Sequence, residues 1–134
     1  MRDGLTRKLP SSAESAGIDE FLSGFLAKLV IVDGGAVGTE FVLDDECVTL
    51  GRGPNVDLAF GDPAMSRQHA AVEFVDEQFR VRDLGSTNGV LVNGEPVQVG
   101  EIEDGDRVVI GSHEFQLVVE VREPEPETYE LPPV

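Results

Sequence analysis

The stretch SRQHAAVEFVDEQFRVRDLGSTNGVLVNG, residues 66–94, decides the fold. Residues 78–82 alternate, with Phe79 and Val81 on one face and Gln78, Arg80 and Arg82 on the other, as a half-buried strand requires. Ala70–Val75 precedes it and Val90–Val92 follows, both β-branched or apolar and too short for helices. Asn88-Gly89 and Asn93-Gly94 are turn dipeptides, because Asn and Gly tolerate left-handed backbone. Working outward, the same grammar predicts strands at Leu29–Val32, Glu40–Leu43, Cys47–Leu50, Arg107–Ile110 and Phe115–Val121. Gly34-Gly35 and Asp104-Gly105 supply further turns. Many short strands at close spacing indicate an all-β antiparallel sandwich.

On the N-terminal side, Ile18, Phe21, Leu22, Phe25, Leu26 and Leu29 recur at helical spacing, with Asp19 and Glu20 in the first turn. This predicts a short amphipathic helix over 18–27, against the helix-weakening Gly24. A helix docked on its own domain is the plain expectation; a detachable helix for a partner's groove is the sharper one. Residues 1–17 are polar and small and read as a flexible arm. Residues 122–134, rich in Pro and Glu, read as an acidic, extended tail. The sandwich is therefore assigned to 28–121.

With 134 residues, 26 acidic and 10 basic, the chain carries a formal charge of −16. That disfavours nucleic acid, whose phosphates need clustered Lys and Arg, and anionic membranes for the same reason. One cysteine, Cys47, excludes an internal disulfide and a thiolate metal cluster. No apolar run approaches the ~20 residues of a membrane span, and Met1–Pro10 has no apolar core of a signal peptide. The expected setting is cytoplasmic. No P-loop or dinucleotide fingerprint follows any strand, and Gly34-Gly35-Ala36-Val37-Gly38 lacks the Lys-Ser/Thr that engages phosphates, so no cofactor is expected.

The chemistry-bearing residues cluster on loops: Gly51-Arg52, Ser66-Arg67-Gln68-His69, Gly85-Ser86-Thr87-Asn88-Gly89 and Asn93-Gly94. A guanidinium grips phosphate oxygens in a two-pronged, charge-assisted way, and a hydroxyl donates to another. An Asn amide pairs with peptide backbone. By residue type alone this is an anion-binding β domain.

In this order, with Val56-Asp57-Leu58 after Gly51-Arg52 and Asp104-Gly105-Asp106 with Val109-Ile110-Gly111 later, the motifs resemble a forkhead-associated (FHA) domain. The resemblance covers roughly residues 28–119. It implies an eleven-stranded β-sandwich that binds phosphothreonine peptides. It also implies phosphopeptide-binding roles for Arg52, Ser66, Arg67, Thr87 and Asn88, and structural roles for Gly51, His69, Gly89, Asn93 and Gly94. The implied partners are a phosphothreonine protein and an upstream Ser/Thr kinase. A site that has lost its ligand, or that is occupied by the chain itself through phosphorylated Thr6 or Thr128, is the alternative; each Thr has Leu three residues on (Leu9, Leu131). An enzyme built on Ser66 and His69 is rejected, because no nucleophile elbow or orienting carboxylate accompanies them.

Overall fold

The computed structural model describes residues 18–122. The expected arm, Thr6, Thr128 and the tail beyond Arg122 lie outside the described residues. A helix, α1, over 18–24 leads into eleven strands. These are β1 (Phe25–Asp33), β2 (Glu40–Val42), β3 (Cys47–Gly51), β4 (Leu58–Ala59), β5 (Ala70–Val75), β6 (Gln78–Asp83), β7 (Val90–Val92), β8 (Glu95–Val97), β9 (Val99–Ile102), β10 (Arg107–Ile110) and β11 (His113–Val121). One sheet runs β2-β1-β11-β10-β7-β8 and the other β4-β3-β5-β6-β9. All pairings are antiparallel except β3 with the two-residue β4, which is parallel.

The sheets face each other over Leu29, Ile31, Leu50, Val72, Val81, Ile110, Phe115 and Leu117, all nearly inaccessible to water. Burying each such side chain stabilises the fold by roughly 1.5–3 kcal/mol before entropy is counted. The α1 helix is docked, with Ile18 in the core and Phe21 against Phe74, Phe79 and Phe25 at centroid separations of 4.9, 5.4 and 5.0 Å.

The helix expected over 18–27 stops at 24, and β1 starts four residues before Leu29. Residues 25–31 satisfy both periods, and tertiary pairing decides between them. Phe25↔Val121 through Ile31↔Phe115 form a continuous ladder, and Ala27, Leu29 and Ile31 turn inward at period two. Gly24 sits at the break, its carbonyl accepting the Arg122 amide.

Strands β4, β8 and β9 carry no sequence signal of their own. Pro96 in β8 cannot donate to a ladder, which is tolerated because β8 is a sheet edge. The β5–β6 hairpin turns on Asp76 and Glu77, both left-handed at φ 55° and 62°, without glycine to announce it. Asn93-Gly94 makes the expected two-residue hairpin between β7 and β8. Asn88-Gly89 instead lies on the crossover from β6 in one sheet to β7 in the other. No described helix is long and apolar enough to cross a membrane.

Candidate functional site

The β3–β4, β4–β5 and β6–β7 loops and the β10–β11 turn converge at one end of the sandwich. At its first corner, Gly51 lets two backbones touch. Its amide neighbours bond the opposite loop, Arg52 N–H to Ser66 C=O at 2.9 Å and Gly53 N–H to Arg67 C=O at 3.1 Å. A Cβ on Gly51 would lie 2.2 Å from the Arg67 carbonyl oxygen, so no other residue fits without moving backbone.

Arg52 is exposed, and its Nε donates to Met65 C=O at 3.1 Å. That bond fixes the guanidinium plane and leaves the two terminal nitrogens unengaged among the described residues. A salt bridge to Asp57 or Asp62 is the plain alternative role, and both carboxylates are taken. Asp57 accepts from Thr49 N–H and Oγ1, and Asp62 is buried among other donors.

Ser66 Oγ accepts the Thr87 amide at 3.0 Å, joining the β4–β5 loop to the β6–β7 loop while keeping its own proton to donate. Asn88 Nδ2 donates to Ala64 C=O at 2.9 Å, a second tie between the same loops. Thr87 and Asn88 are both exposed. Ser86 caps this loop from within, its Oγ accepting Gly89 N–H at 2.9 Å while Asp83 Oδ1 accepts Ser86 N–H at 2.8 Å. Gly89 takes φ 81°, a conformation that favours glycine.

His69 is fully buried beneath these loops. Its Nδ1 accepts Ser66 N–H at 3.0 Å, so the ring proton resides on Nε2, which donates to Gly89 C=O at 2.8 Å. Both ring nitrogens are spent on backbone, and no carboxylate stands behind the ring.

Asp62 was not a sequence candidate. It is 4% exposed and accepts four donors: Ala64 N–H on Oδ1, and Ser112 N–H, Ser112 Oγ–H and His113 Nδ1–H on Oδ2. Burial pushes its pKa up, but these hydrogen bonds outweigh that and hold the carboxyl well below the usual range. The result pins the β4–β5 loop to the β10–β11 turn. Gly111 there takes φ 64°, and a Cβ on it would approach Asp62 Oδ2 to 2.7 Å and Met65 Cγ to 2.6 Å. An acidic residue four positions before Ser66 is the only trace of this in the sequence.

The structure gathers Gly51, Arg52, Ser66, Arg67, His69, Thr87, Asn88 and Gly89. It places Asn93 and Gly94 elsewhere: Asn93 accepts Arg107 N–H and donates to Asp106, beyond the far end of β7. Arg80, Arg82 and Arg107 do not form a wider basic patch, since the first two bind Glu73 and Arg107 lies 3.9 Å from Glu114. Glu73 is half-buried, which raises its pKa, but the two guanidinium groups bring it below the ordinary value.

Comparison with known proteins agrees with this fold. The family model described as the FHA domain matches residues 48–111. An oxoglutarate dehydrogenase inhibitor of Corynebacterium jeikeium is 38% identical over 106 residues, 79% of this chain and 72% of that protein. The glycogen accumulation regulator GarA of Mycolicibacterium smegmatis is 39% identical over 103 residues, 77% of this chain and 63% of that protein. A solved FHA domain, studied for phosphothreonine-dependent interactions, superposes with a TM-score of 0.63 at 29% identity, covering 74% of this chain and 98% of that one.

Proposed function

This chain belongs to the FHA domain family, and on that footing we propose that it is a phosphothreonine-peptide binding module. It mediates phosphorylation-dependent protein–protein interaction downstream of a Ser/Thr kinase. The carrying observation is the Arg52 guanidinium, anchored through Nε with its other nitrogens unengaged among the described residues, on a loop bonded directly to the one bearing Ser66. In this reading Arg52 and Ser66 hold the phosphate, Arg67 adds charge or a peptide contact, and Thr87 and Asn88 hold the threonine surroundings and peptide backbone. Gly51, His69 and Gly89 shape the loops; Asn93 and Gly94 shape a distant turn.

The site is for binding and not for catalysis. Ser66 has no base, because both nitrogens of its neighbour His69 are committed to backbone. The relatives bear the names of regulators, and this chain would likewise control a cytoplasmic partner by occupying it. The residues Leu26 to Val119 hold six basic and 17 acidic side chains, a balance of −11. Affinity therefore rests on short-range contacts, with a Kd on the order of micromolar (~−8 kcal/mol). Titration with a degenerate phosphothreonine library, beside phosphoserine and unphosphorylated pools, tests the proposal. Binding confined to phosphothreonine supports it; equal binding of all three refutes it. Silence from every pool favours the scaffold that lacks a free site.

A further inference from the structure

Ser66 and Arg67 are neighbours in sequence whose side chains part company. Ser66 Oγ meets the Thr87 amide, whereas the Arg67 stem packs over Gly53, where a Cβ would lie 3.1 Å from Arg67 Cβ. Arg67 thereby lines a separate open depression of about 340 Å³ with Gly53, Pro54, Asn55, Gln68 and Leu84. Asn55 and Gln68 contribute amide donors, and Leu84, 36% exposed, gives an apolar wall. Among the described residues no carboxylate lies within ion-pair distance of Arg67, while Lys28, Arg80, Arg82 and Arg107 all have acidic partners. In a chain of charge −16, the depression joins a guanidinium to amide donors with no acid of its own.

We propose that this depression is a second subsite, selecting a carboxylate side chain one or two residues away from the phosphothreonine. The inference rests on the phosphothreonine reading and deepens it. A peptide in extended form advances ~3.4 Å per residue, and successive side chains point to opposite sides. A residue adjacent or next-but-one to that held at Ser66 is therefore the one delivered to Arg67. Its carboxylate meets Arg67 in a fork-to-fork pairing with the Asn55 and Gln68 amides beside it, and its methylene stem lies along Leu84. The volume exceeds one side chain, so bridging water completes the shell.

The test is a glutamate scan. Phosphothreonine peptides on an alanine background carry one Glu at each position from three before to three after the phosphothreonine, and each is titrated by fluorescence anisotropy. The full chain, Arg67→Gln and Arg67→Lys are compared, with circular dichroism to establish that both variants fold. Glu at one position within two residues of the phosphothreonine is expected to tighten binding about fivefold. That gain vanishes in Arg67→Gln and survives in part in Arg67→Lys. Phosphothreonine-dependent binding with no Glu gain, or with the same gain in Arg67→Gln, overturns the subsite and leaves the function standing. Absence of phosphothreonine-dependent binding for every peptide overturns both.

Discussion

Replacing Asp62 isolates how the two halves of the binding end are held together. In Asp62→Ala, Ala64 N–H, Ser112 N–H, the Ser112 hydroxyl and the His113 ring lose their acceptor. Hydrogen bonds to a charged group contribute ~1.5–3 kcal/mol each when nothing replaces them. Ser112 is exposed and Ala64 half-exposed, so water recovers much of that. The expected net loss is about 3–4 kcal/mol, a large share of the ~5–15 kcal/mol of an ordinary domain. Asp62→Asn, keeping a carbonyl toward Ser112 and His113 but turning an NH2 against Ala64 N–H, should lose about 1–2 kcal/mol. Urea denaturation at pH 7 measures both. The pH dependence supplies a second, independent readout. Because the folded carboxyl titrates below its unfolded value of ~3.9, its stabilisation is present above that pH and is lost as pH falls toward the folded value. Glu73 shifts in the same direction, so wild type alone does not separate the two. The difference between wild type and Asp62→Ala does, and it should shrink as pH falls below about 4. A loss under ~1 kcal/mol at pH 7, or a difference independent of pH down to 3, would refute the reasoning.

Four further outcomes follow from the geometry. Arg52→Ala should abolish detectable phosphothreonine binding in calorimetry while the fold persists, since the side chain is exposed; near-wild-type affinity removes Arg52 from the site. His69→Ala should lower stability by about 3–5 kcal/mol in urea, the combined effect of a cavity and of leaving Ser66 N–H and Gly89 C=O unpaired. Gly51→Ala should cost about 3 kcal/mol and weaken peptide binding in the same titration, because the new methyl collides with backbone and not with a yielding side chain. Raising salt from 50 to 500 mM should leave the stopped-flow association rate unchanged or increased, given the acidic surface; a steep fall contradicts the charge argument.

What could be read from the sequence divides along physical lines. Strands with clean alternation, such as Gln78–Asp83 around Phe79 and Val81, are self-announcing because one face is wet and one dry. The loop residues Arg52, Ser66, Thr87 and Asn88 were legible through the family resemblance, and by type alone only as anion-binding groups. The end of α1 was not legible, since Phe25 and Leu29 satisfy helix and strand periods alike and only pairing with β11 settles them. Strand β4 has only two residues, and β8 and β9 contain Pro96 and Gly100, residue types that argue against a strand. Asp62 was invisible for another reason. Its partners Ser112 and His113 lie 50 and 51 residues away, and nothing local marks a carboxylate that three donors from that distant turn, with the nearby Ala64 amide, will enclose.

The joining of the first and last described elements has a consequence for how such a module works within a larger assembly. Arg122 donates from Nε to the carbonyls of Leu22 and Phe25, so the chain enters and leaves the sandwich side by side. β1 then carries it about 27 Å along the sandwich, at ~3.4 Å per residue, before the loops around Ser66 are reached. Whatever is attached at either side of residues 18–122 is thus moored at the end opposite the loops around Ser66. A tether there raises the local concentration of a partner without standing in its path.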